Sequence, residues 1–271
     1  MGDKRLTPAR PDLAASHLKG QVEAARFADG EEAIVTRGHV ALRGAPSDDA
    51  GQVSELLFGE IVTVYERKDG WAWLQARSDS YVGYARESGL GPVFAADARV
   101  IHPLTPLLSA PDVKSPLRDL LPLNAQVKRD RQEGNFIAVA GGFVAANALG
   151  SLNHAAPDFV AVAEQFMDVP YVWGGKTFAG LDCSGLIQVA IQAAGLICPR
   201  DTDLQEQALG HSVPRDTLQR GDLVFWKGHV GVMRDAITLL HANAFHMQVT
   251  SEPVEVAVQR ITTPITTIKR L

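Results

Sequence analysis

In the C-terminal half of the chain, one cysteine comes before two histidines, and each of the three lies in a short apolar segment. The cysteine occurs in LDCSGL (181–186), and the histidines occur in GHVG (228–231) and LHA (240–242). Apolar residues recur at helical spacing after the cysteine and predict a helix over 184–194. We therefore expect an α+β domain in which a helix packs on an antiparallel sheet. The cysteine would then lie at the helix start, with both histidines on adjacent strands facing it.

Two further elements of this domain are predicted from the same kind of pattern. A first helix is expected over 157–167, where the chain turns helical after a proline. Short β-type runs separated by Gly, His and Asn predict strands at 223–226, 230–233, 237–240 and 248–250.

The three residues are typical of a site for nucleophilic catalysis. A free thiol is mostly protonated near neutral pH, and only the thiolate attacks, so Cys183 needs a base. His229 can be that base, and His241 can hold its ring in the useful tautomer. At a helix N-terminus the partial positive charge lowers a thiol pKa, and unpaired backbone N–H groups stabilise an oxyanion. The pattern therefore predicts acyl transfer.

Other interpretations of these residues stay open at this point. Cys183 could be a buried small hydrophobe and the histidines structural. Alternatively, Cys183, His229 and His241 could bind a catalytic zinc, although no CxxC or HExxH spacing supports a metal site. His246, five residues after His241, is a rival for the third position, but it follows an Asn-Ala turn and is more typical of a loop histidine.

Several motifs of the last 120 residues or so resemble the NlpC/P60-type cell-wall cysteine peptidases, which have a circularly permuted papain-like fold. In chain order the matching segments are YVWGG (171–175), DCSG (182–185), RDT (200–202), RGDL (220–223), GHVG (228–231) and LHA (240–242). The resemblance implies that Cys183 is the nucleophile, His229 the base and His241 the orienting residue. It also implies that Tyr171 lies beside the oxyanion position.

The same resemblance implies a set of substrate-binding residues around the cysteine. Asp182 and Ser184 flank the nucleophile and would bind the N-terminal end of the substrate. Arg200 and Thr202 would help to line the same pocket. Thr202 stands where a serine is more usual, so it keeps the hydroxyl and adds a methyl group.

An internal repeat with an offset of about 65 residues occupies the first 150 residues. Each copy holds short β-type runs broken by Pro, Gly and Asp and resembles a bacterial SH3-like barrel. The resemblance implies that the first barrel closes one end of the cleft with an acid and a tyrosine, for which Glu55 and Tyr81 are the candidates. Glu60 is the competing acid. A solvated strand residue and a core aromatic are the alternative interpretations of Glu55 and Tyr81.

These patterns predict four parts of the chain. They are an N-terminal arm (1–30) that must pack to be ordered, a first barrel (31–92), a second barrel (93–150) and the NlpC-type peptidase domain (151–271). The second barrel has Asp119 and Phe143 in place of the acid and tyrosine of the first.

Composition limits the partners and the location of the chain. The net charge is −5 and no Lys/Arg-rich run is present, so nucleic acid is not expected as a partner. No segment has the 18 or so apolar residues needed to span a bilayer. The N-terminus shows no apolar export signal, and a cytoplasmic location is therefore expected, with a trimmed exported form as the alternative. A helix between Cys183 and Cys198 would separate them by roughly 16 Å, too far for a disulfide.

The expected function follows from the resemblance and from the two acids. A carboxylate pair formed by Asp182 and Glu55 would favour a substrate with a free ammonium group, and Arg200 would meet a substrate carboxylate. The resemblance implies hydrolysis of the γ-D-glutamyl–L-diamino acid bond in small murein peptides with a free N-terminal L-Ala, in cell-wall recycling. No metal or cofactor is required. The alternatives are an amidase or acyltransferase acting on another amide, and a non-catalytic wall-binding protein. The sequence indicates neither the diamino acid nor the oligomeric state.

Overall fold

The computed structural model describes residues 2–271 and contains two folded units. The first unit ends at Leu152 and the second begins at Asn153. The first is built almost entirely of strands, whereas the second combines helices with an antiparallel sheet. The predicted α+β class is confirmed. No helix among the described residues is long and apolar enough to cross a membrane.

The first part of the N-terminal unit is a seven-stranded sheet in the order β5-β4-β8-β7-β6-β3-β9, preceded by a small parallel pair, β1 and β2. The strands are β1 (Ala14–Ala15), β2 (Phe27–Ala28), β3 (Glu31–Val35), β4 (His39–Arg43), β5 (Gln52–Leu57), β6 (Ile61–Lys68), β7 (Trp71–Ala76), β8 (Val82–Arg86) and β9 (Leu90–Gly91). Single 3-10 turns lie at Ser16–Leu18 and Glu87–Gly89. Alternate apolar residues of these strands form one buried core.

The second part of this unit repeats the same strand order in two smaller sheets, β12-β11-β16-β15-β14 and β13-β10-β17. Its strands are β10 (Ala98–Val100), β11 (Leu104–Leu108), β12 (Leu117–Pro122), β13 (Gln126–Val127), β14 (Gln132–Glu133), β15 (Phe136–Val139), β16 (Gly142–Ala145) and β17 (Leu149–Ser151), with a 3-10 turn at Ala146–Ala148. Here β11, β12 and β15 each begin 65 residues after β4, β5 and β7 (104 − 39, 117 − 52 and 136 − 71). The sequence repeat is thus a repeat of strand order, while the predicted limits of the separate domains remain predictions.

The N-terminal arm is attached to the first sheet by packing and by charge. Leu13 and Ala15 are buried in a small cluster with Tyr65 and Trp73. The guanidinium of Arg10 lies 4.3 Å from the ring centre of Trp73, within the range of a cation–π contact. These contacts supply the packing that the arm was expected to need.

The C-terminal unit is a six-stranded antiparallel sheet, in the order β20-β25-β21-β22-β23-β24, with helices packed around it. Its elements are α1 (Phe159–Glu164), β18 (Lys176–Thr177), β19 (Gly180–Leu181), α2 (Cys183–Ala193), α3 (Thr202–Ala208), β20 (His211–Ser212), β21 (Leu223–Trp226), β22 (His229–Met233), β23 (Thr238–Asn243), β24 (Gln248–Pro253), α4 (Val254–Arg260) and β25 (Ile265–Arg270). A 3-10 turn lies at Arg215–Thr217.

Helix α2 is the central element of this unit. It packs against α1 on one side and against β22 and β23 on another. Nearly all of its residues are buried, as expected for a helix that is apolar on all sides. It ends before Gly195, whose φ of +80° is the left-handed conformation that commonly stops a helix. The predicted helix over 184–194 therefore differs from α2 by one residue at each end.

Helix α1 is shorter than the predicted span of 157–167. Asp158 caps its start, since its carboxylate accepts from the backbone N–H of Val160 at 2.8 Å and of Ala161 at 3.2 Å. The helix ends at Glu164, and the chain then turns through Asp168, which has a φ of 64°. The cap at Asp158 and the turn at Asp168 therefore make α1 shorter than the hydrophobic pattern predicts.

Candidate active site

Cys183 is the first residue of α2, and Asp182 is the cap of that helix. The Asp182 side chain adopts this role because its Oδ1 accepts from the backbone N–H of Gly185 at 2.7 Å. The Cys183 side chain is almost fully buried, and its Sγ lies 3.8 Å from Oγ1 of Thr202. The backbone N–H groups of Val230 and Ser184 also point at the sulfur.

His229 and His241 lie on adjacent strands, as the sequence predicts. His229 begins β22, His241 is in the middle of β23, and the two strands are paired antiparallel. Nε2 of His229 is 2.8 Å from Nδ1 of His241. Gly231 makes room for this pair, because a Cβ at that position would lie 3.1 Å from Cβ of His241 and 2.8 Å from Cδ1 of Leu239. The structure thus brings the two rings into direct contact.

The hydrogen bonds that join His229 to His241 continue to Glu252 and Arg260, two residues that sequence reasoning missed. Nε2 of His241 is 2.8 Å from Oε1 of Glu252 on β24. Arg260, the last residue of α4, donates to both oxygens of Glu252, with a distance of 2.8 Å to Oε2. Neither Glu252 nor Arg260 belongs to a recognisable motif. Only the strand register could have indicated the contact between Glu252 and His241.

Asp182, Ser184 and Arg200 form a buried network with one another. Nη1 of Arg200 donates to Oδ1 of Asp182 and to Oγ of Ser184, each at 2.9 Å, and Nη2 donates to Oδ2 of Asp182 at 2.7 Å. Arg200 also donates to the backbone oxygen of Gly175 at 3.3 Å. All three side chains are buried, so this geometry favours a role in holding the helix start. Their predicted contacts with substrate remain predictions.

The glycines of the two motifs have a common steric reason. A Cβ on Gly185 would lie 2.1 Å from the backbone oxygen of Gly175, and a Cβ on Gly175 would lie 2.4 Å from that of Gly180. In addition, Asp182 accepts through Oδ2 from the backbone N–H of Gly174 at 2.8 Å. The YVWGG segment is therefore packed directly onto the first turn of the cysteine helix.

Tyr171 lies in this segment. It is close enough to Cys183 for a negative charge on the sulfur to affect the pKa of the Tyr171 hydroxyl. Burial raises the pKa of Tyr171, and the neighbouring charges of Cys183 and Asp182 raise it further. The hydroxyl therefore stays protonated and can donate a hydrogen bond, as an oxyanion-stabilising group must.

The pKa of the thiol differs from the sequence-based expectation. Burial, followed by the charge of Asp182, raises the pKa of Cys183 to about 11, although hydrogen bonds from Thr202 and two backbone N–H groups act in the opposite direction. Burial lowers the pKa of His229 to about 3 and that of His241 to about 4. The helix N-terminus does not outweigh burial, so the resting site holds a neutral thiol beside neutral imidazoles.

Two alternatives from the sequence find little support in this geometry. The backbone N–H and Nδ1 of His246 lie 2.9 and 3.0 Å from Oδ1 of Asn243, so this histidine is tied into its own turn. For a zinc site, His229 and His241 would have to direct ring nitrogens at one ion, whereas they direct them at each other. Within residues 2–271 no group of three or more His, Cys, Asp or Glu is arranged to hold a metal ion.

The two cysteines are free, and the second lies away from the reactive groups. Cys198 is buried after α2, and its Sγ is 3.5 Å from the backbone oxygen of Pro199. It has the environment of a packed thiol rather than that of a nucleophile.

Glu55, Tyr81 and the competing acid Glu60 all lie in the N-terminal unit. Glu55 is on β5 with Oε1 3.7 Å from Nε2 of His39, and Tyr81 is part of the buried core of the first sheet. Glu60 accepts through Oε2 from the backbone N–H of Leu57 at 3.0 Å, which fixes the turn between β5 and β6. That bond gives Glu60 a structural role. The contribution of Glu55 and Tyr81 to a substrate cleft remains a prediction.

Comparison with known proteins matches a part of each unit to a described family. Residues 168–265 match the NlpC/P60 family, and residues 42–90 match the bacterial dipeptidyl-peptidase Sh3 domain. Dipeptidyl-peptidase 6 of Lysinibacillus sphaericus is 37% identical over 84 residues, which are 31% of this chain and 31% of that protein. Gamma-D-glutamyl-L-lysine dipeptidyl-peptidase of Bacillus subtilis (strain 168) is 37% identical over 95 residues, 32% of each chain. The match thus spans about a third of the length of these curated relatives.

A solved structure supports the fold over a longer stretch. The NlpC/P60 family protein from Bacillus cereus ATCC 10987 has a TM-score of 0.76 and 19% identity, and the match covers 89% of this chain and 99% of that one. With a cysteine at a helix start and two contacting histidines on the sheet, the C-terminal unit has the NlpC/P60 fold. Residues 168–265 of the C-terminal unit therefore form an NlpC/P60 domain, and residues 42–90 of the N-terminal unit form a bacterial dipeptidyl-peptidase SH3 domain. The resemblance stated from the motifs is confirmed.

Proposed function

We propose that this chain hydrolyses the γ-D-glutamyl–L-diamino acid bond of small murein peptides that have a free N-terminal L-Ala. The observation that carries the proposal is the hydrogen-bonded pair His229–His241 on the same sheet that α2 and Cys183 pack against. The SH3 match adds support, because that domain is described as belonging to bacterial dipeptidyl-peptidases. Two relatives carry names that state a dipeptidyl-peptidase activity.

The neutral resting site defines the first chemical step. Because the pKa of Cys183 is raised and that of His229 is lowered, the proton leaves the thiol as Sγ attacks the γ-glutamyl carbonyl. Backbone N–H groups of the first turn of α2 and the Tyr171 hydroxyl stabilise the oxyanion. His229 then protonates the leaving amine of the diamino acid. In the second half-reaction it activates water, which releases L-Ala-γ-D-Glu from the sulfur.

A free amino group on the substrate is the feature that distinguishes a dipeptidyl-peptidase from an enzyme acting on the intact wall. A carboxylate at the N-terminal end of the cleft would form a charge-assisted hydrogen bond with that ammonium group. Asp182 is paired with Arg200, and Glu55, whose Oε1 lies 3.7 Å from Nε2 of His39, is the other acid that the resemblance implies for this role. The roles in recycling and in the cytoplasm rest on the same preference for released peptides and are part of the proposal.

The test compares four substrates with three forms of the protein. The substrates are L-Ala-γ-D-Glu-meso-diaminopimelate, its N-acetylated form and intact peptidoglycan, with the L-lysine tripeptide added to define the diamino acid. Wild type is compared with Cys183→Ala and with Cys198→Ala, which removes the other buried thiol. Products are followed by mass spectrometry.

We expect wild type and Cys198→Ala to release L-Ala-γ-D-Glu from the free tripeptide and Cys183→Ala to release none. Acetylation should lower kcat/KM at least about a hundredfold, because it removes the charge-assisted hydrogen bond between the ammonium group and the enzyme. Equal cleavage of the acetylated peptide would contradict the requirement for a free N-terminus. If no substrate is cleaved, the amidase, acyltransferase or wall-binding interpretation takes its place.

A further inference from the structure

We propose that Glu252 is a positioning residue that fixes the protons on both histidines, so that Nδ1 of His229 is the nitrogen left free to take the proton of Cys183. The inference deepens the proposed function, because it assigns a further residue to the same site. It depends on the hydrogen-bonded line from His229 through His241 to Glu252 and Arg260.

The strand register places Glu252 beside His241. Residues Leu239 and Glu252 are opposite each other in the β23–β24 pair, as are His241 and Thr250. Glu252 is therefore the diagonal neighbour of His241 on one face of the sheet, within reach of a long side chain. His241 has an exposed fraction of 0%, so water does not compete for its ring nitrogens.

Counting protons along the line leaves one arrangement. An ionised carboxylate only accepts, so Nε2 of His241 carries the hydrogen that is donated to Glu252. Because the neutral ring of His241 has a single N–H, its Nδ1 is then an acceptor, and Nε2 of His229 must donate to it. Neutral His229 likewise has one N–H, so its Nδ1 carries the lone pair that can act as the base.

Arg260 keeps this arrangement in place by keeping Glu252 ionised. Its guanidinium donates to both carboxylate oxygens of Glu252, a bidentate geometry that orients the group as well as stabilising its charge. The hydrogen bond from Arg260 is the largest cause of the lowered pKa of Glu252. A neutral Glu252 could donate to Nε2 of His241, which would reverse the donors along the line.

The other polar neighbours do not substitute for Glu252. His246, whose charge also acts on His241, is hydrogen-bonded to Asn243. Thr250, opposite His241, carries a hydroxyl that can donate or accept and therefore cannot define one direction. Glu252 is the charged acceptor on this line.

The arrangement of protons matters for the reaction when His229 becomes charged. The proton of Cys183 moves to Nδ1 of His229 while the sulfur–carbon bond forms, and no proton moves to His241 or Glu252. The imidazolium so formed still donates through Nε2. Burial, followed by the charges of His241 and Arg260, lowers the pKa of His229, and the negative charge of Glu252 acts in the opposite direction. Glu252 touches neither the sulfur nor the substrate, so it acts only through the two rings.

The direct test is nitrogen-15 NMR of the histidine rings in the full-length protein at pH 7, without substrate. We expect both His229 and His241 of wild type to be protonated at Nε2 and unprotonated at Nδ1. In Glu252→Gln the amide can donate as well as accept, so the Nδ1-protonated form of His241 should become populated. The measurement on wild type does not depend on whether the variant folds. An Nδ1-protonated His241 in wild type would overturn the proposal.

Kinetics with a matched control separates this role from a simple contribution to folding. Glu255→Gln makes the same chemical change three residues later, in an exposed pair with Arg215. We expect Glu252→Gln to lower kcat about ten- to a hundredfold with KM nearly unchanged, and Glu255→Gln to change neither. Equal kinetics of Glu252→Gln and wild type would contradict the proposal. If no peptide is cleaved but the tautomers are as stated, the proposed function fails while the inference stands.

Discussion

Arg200 and Asp182, the residue before the nucleophile, form a buried bidentate ion pair. Nη1 and Nη2 of the arginine lie 2.9 and 2.7 Å from Oδ1 and Oδ2 of the aspartate. The same carboxylate caps α2 through Gly185. The position of the cysteine at the helix start therefore depends on a residue from the segment that follows the helix.

Replacing Arg200 should destabilise the C-terminal unit strongly. In Arg200→Met the Asp182 carboxylate would stay buried without its cation, which costs about 3–5 kcal/mol when a buried pair is broken. Arg215→Met removes an arginine from an exposed pair with Glu255 and should cost about 1 kcal/mol or less. Urea denaturation followed by circular dichroism measures both. Equal losses in free energy of unfolding would show that the buried pair has no special role.

Gly185→Ala should damage the site through the backbone. Its Cβ would meet the oxygen of Gly175 at 2.1 Å, so either the YVWGG segment or the helix start must move. We expect a loss of about 1–3 kcal/mol in stability together with a loss of activity. Gly51→Ala is the control, because a Cβ there has no neighbour within 4 Å. Thermal unfolding and peptide cleavage are the measurements, and wild-type behaviour of Gly185→Ala would contradict the steric argument.

Thr202→Val should make the thiol less reactive. The hydrogen bond from Thr202 lowers the pKa of Cys183, so removing the hydroxyl raises that pKa further and decreases the thiolate fraction at any given pH. A bond of about 0.5–1.5 kcal/mol corresponds to a roughly two- to tenfold slower reaction. Alkylation by iodoacetamide, measured in a Cys198→Ser background, reports the rate. Thr202→Ser keeps the hydroxyl and should react nearly as fast as wild type, and an equal rate in Thr202→Val would refute the role of the hydroxyl.

Arg260→Met should make the activity more sensitive to acid. Arg260 lowers the pKa of Glu252, so without it that pKa rises and the carboxyl becomes protonated at a higher pH. The ratio of variant to wild-type kcat should therefore fall as the pH decreases from about 7 to about 5. Arg215→Met, on the surface, should give a constant ratio over this range. A constant ratio for Arg260→Met would mean that Arg260 does not act through the charge of Glu252.

The nucleophile and both histidines could be placed from the sequence because each lies in a local motif whose secondary structure is also local. Helix α2 and the strands that carry His229 and His241 follow from hydrophobic spacing within a few residues. The repeat of the N-terminal unit was visible for the same reason, since equal spacing needs no knowledge of long-range contacts. These features are properties of neighbouring residues.

Glu252 and the Asp182–Arg200 pair could not be predicted, because they depend on which distant residues meet. Nothing around Glu252 marks it as different from any other strand glutamate until the register of β24 against β23 is known. Strand β25 was missed because only Ile268 of its residues is buried, so its hydrophobic alternation is weak. The raised pKa of Cys183 follows from the depth of burial, which a motif does not define.

A protonated nucleophile also has a chemical benefit for the protein between turnovers. Peroxides oxidise thiolates far faster than thiols, and the first product, a sulfenic acid, leads on to irreversible forms. Because burial keeps Cys183 in the thiol form until a substrate carbonyl is present, the resting protein offers oxidants little of the reactive species. We therefore expect the burial that keeps the thiol protonated also to slow its loss by oxidation.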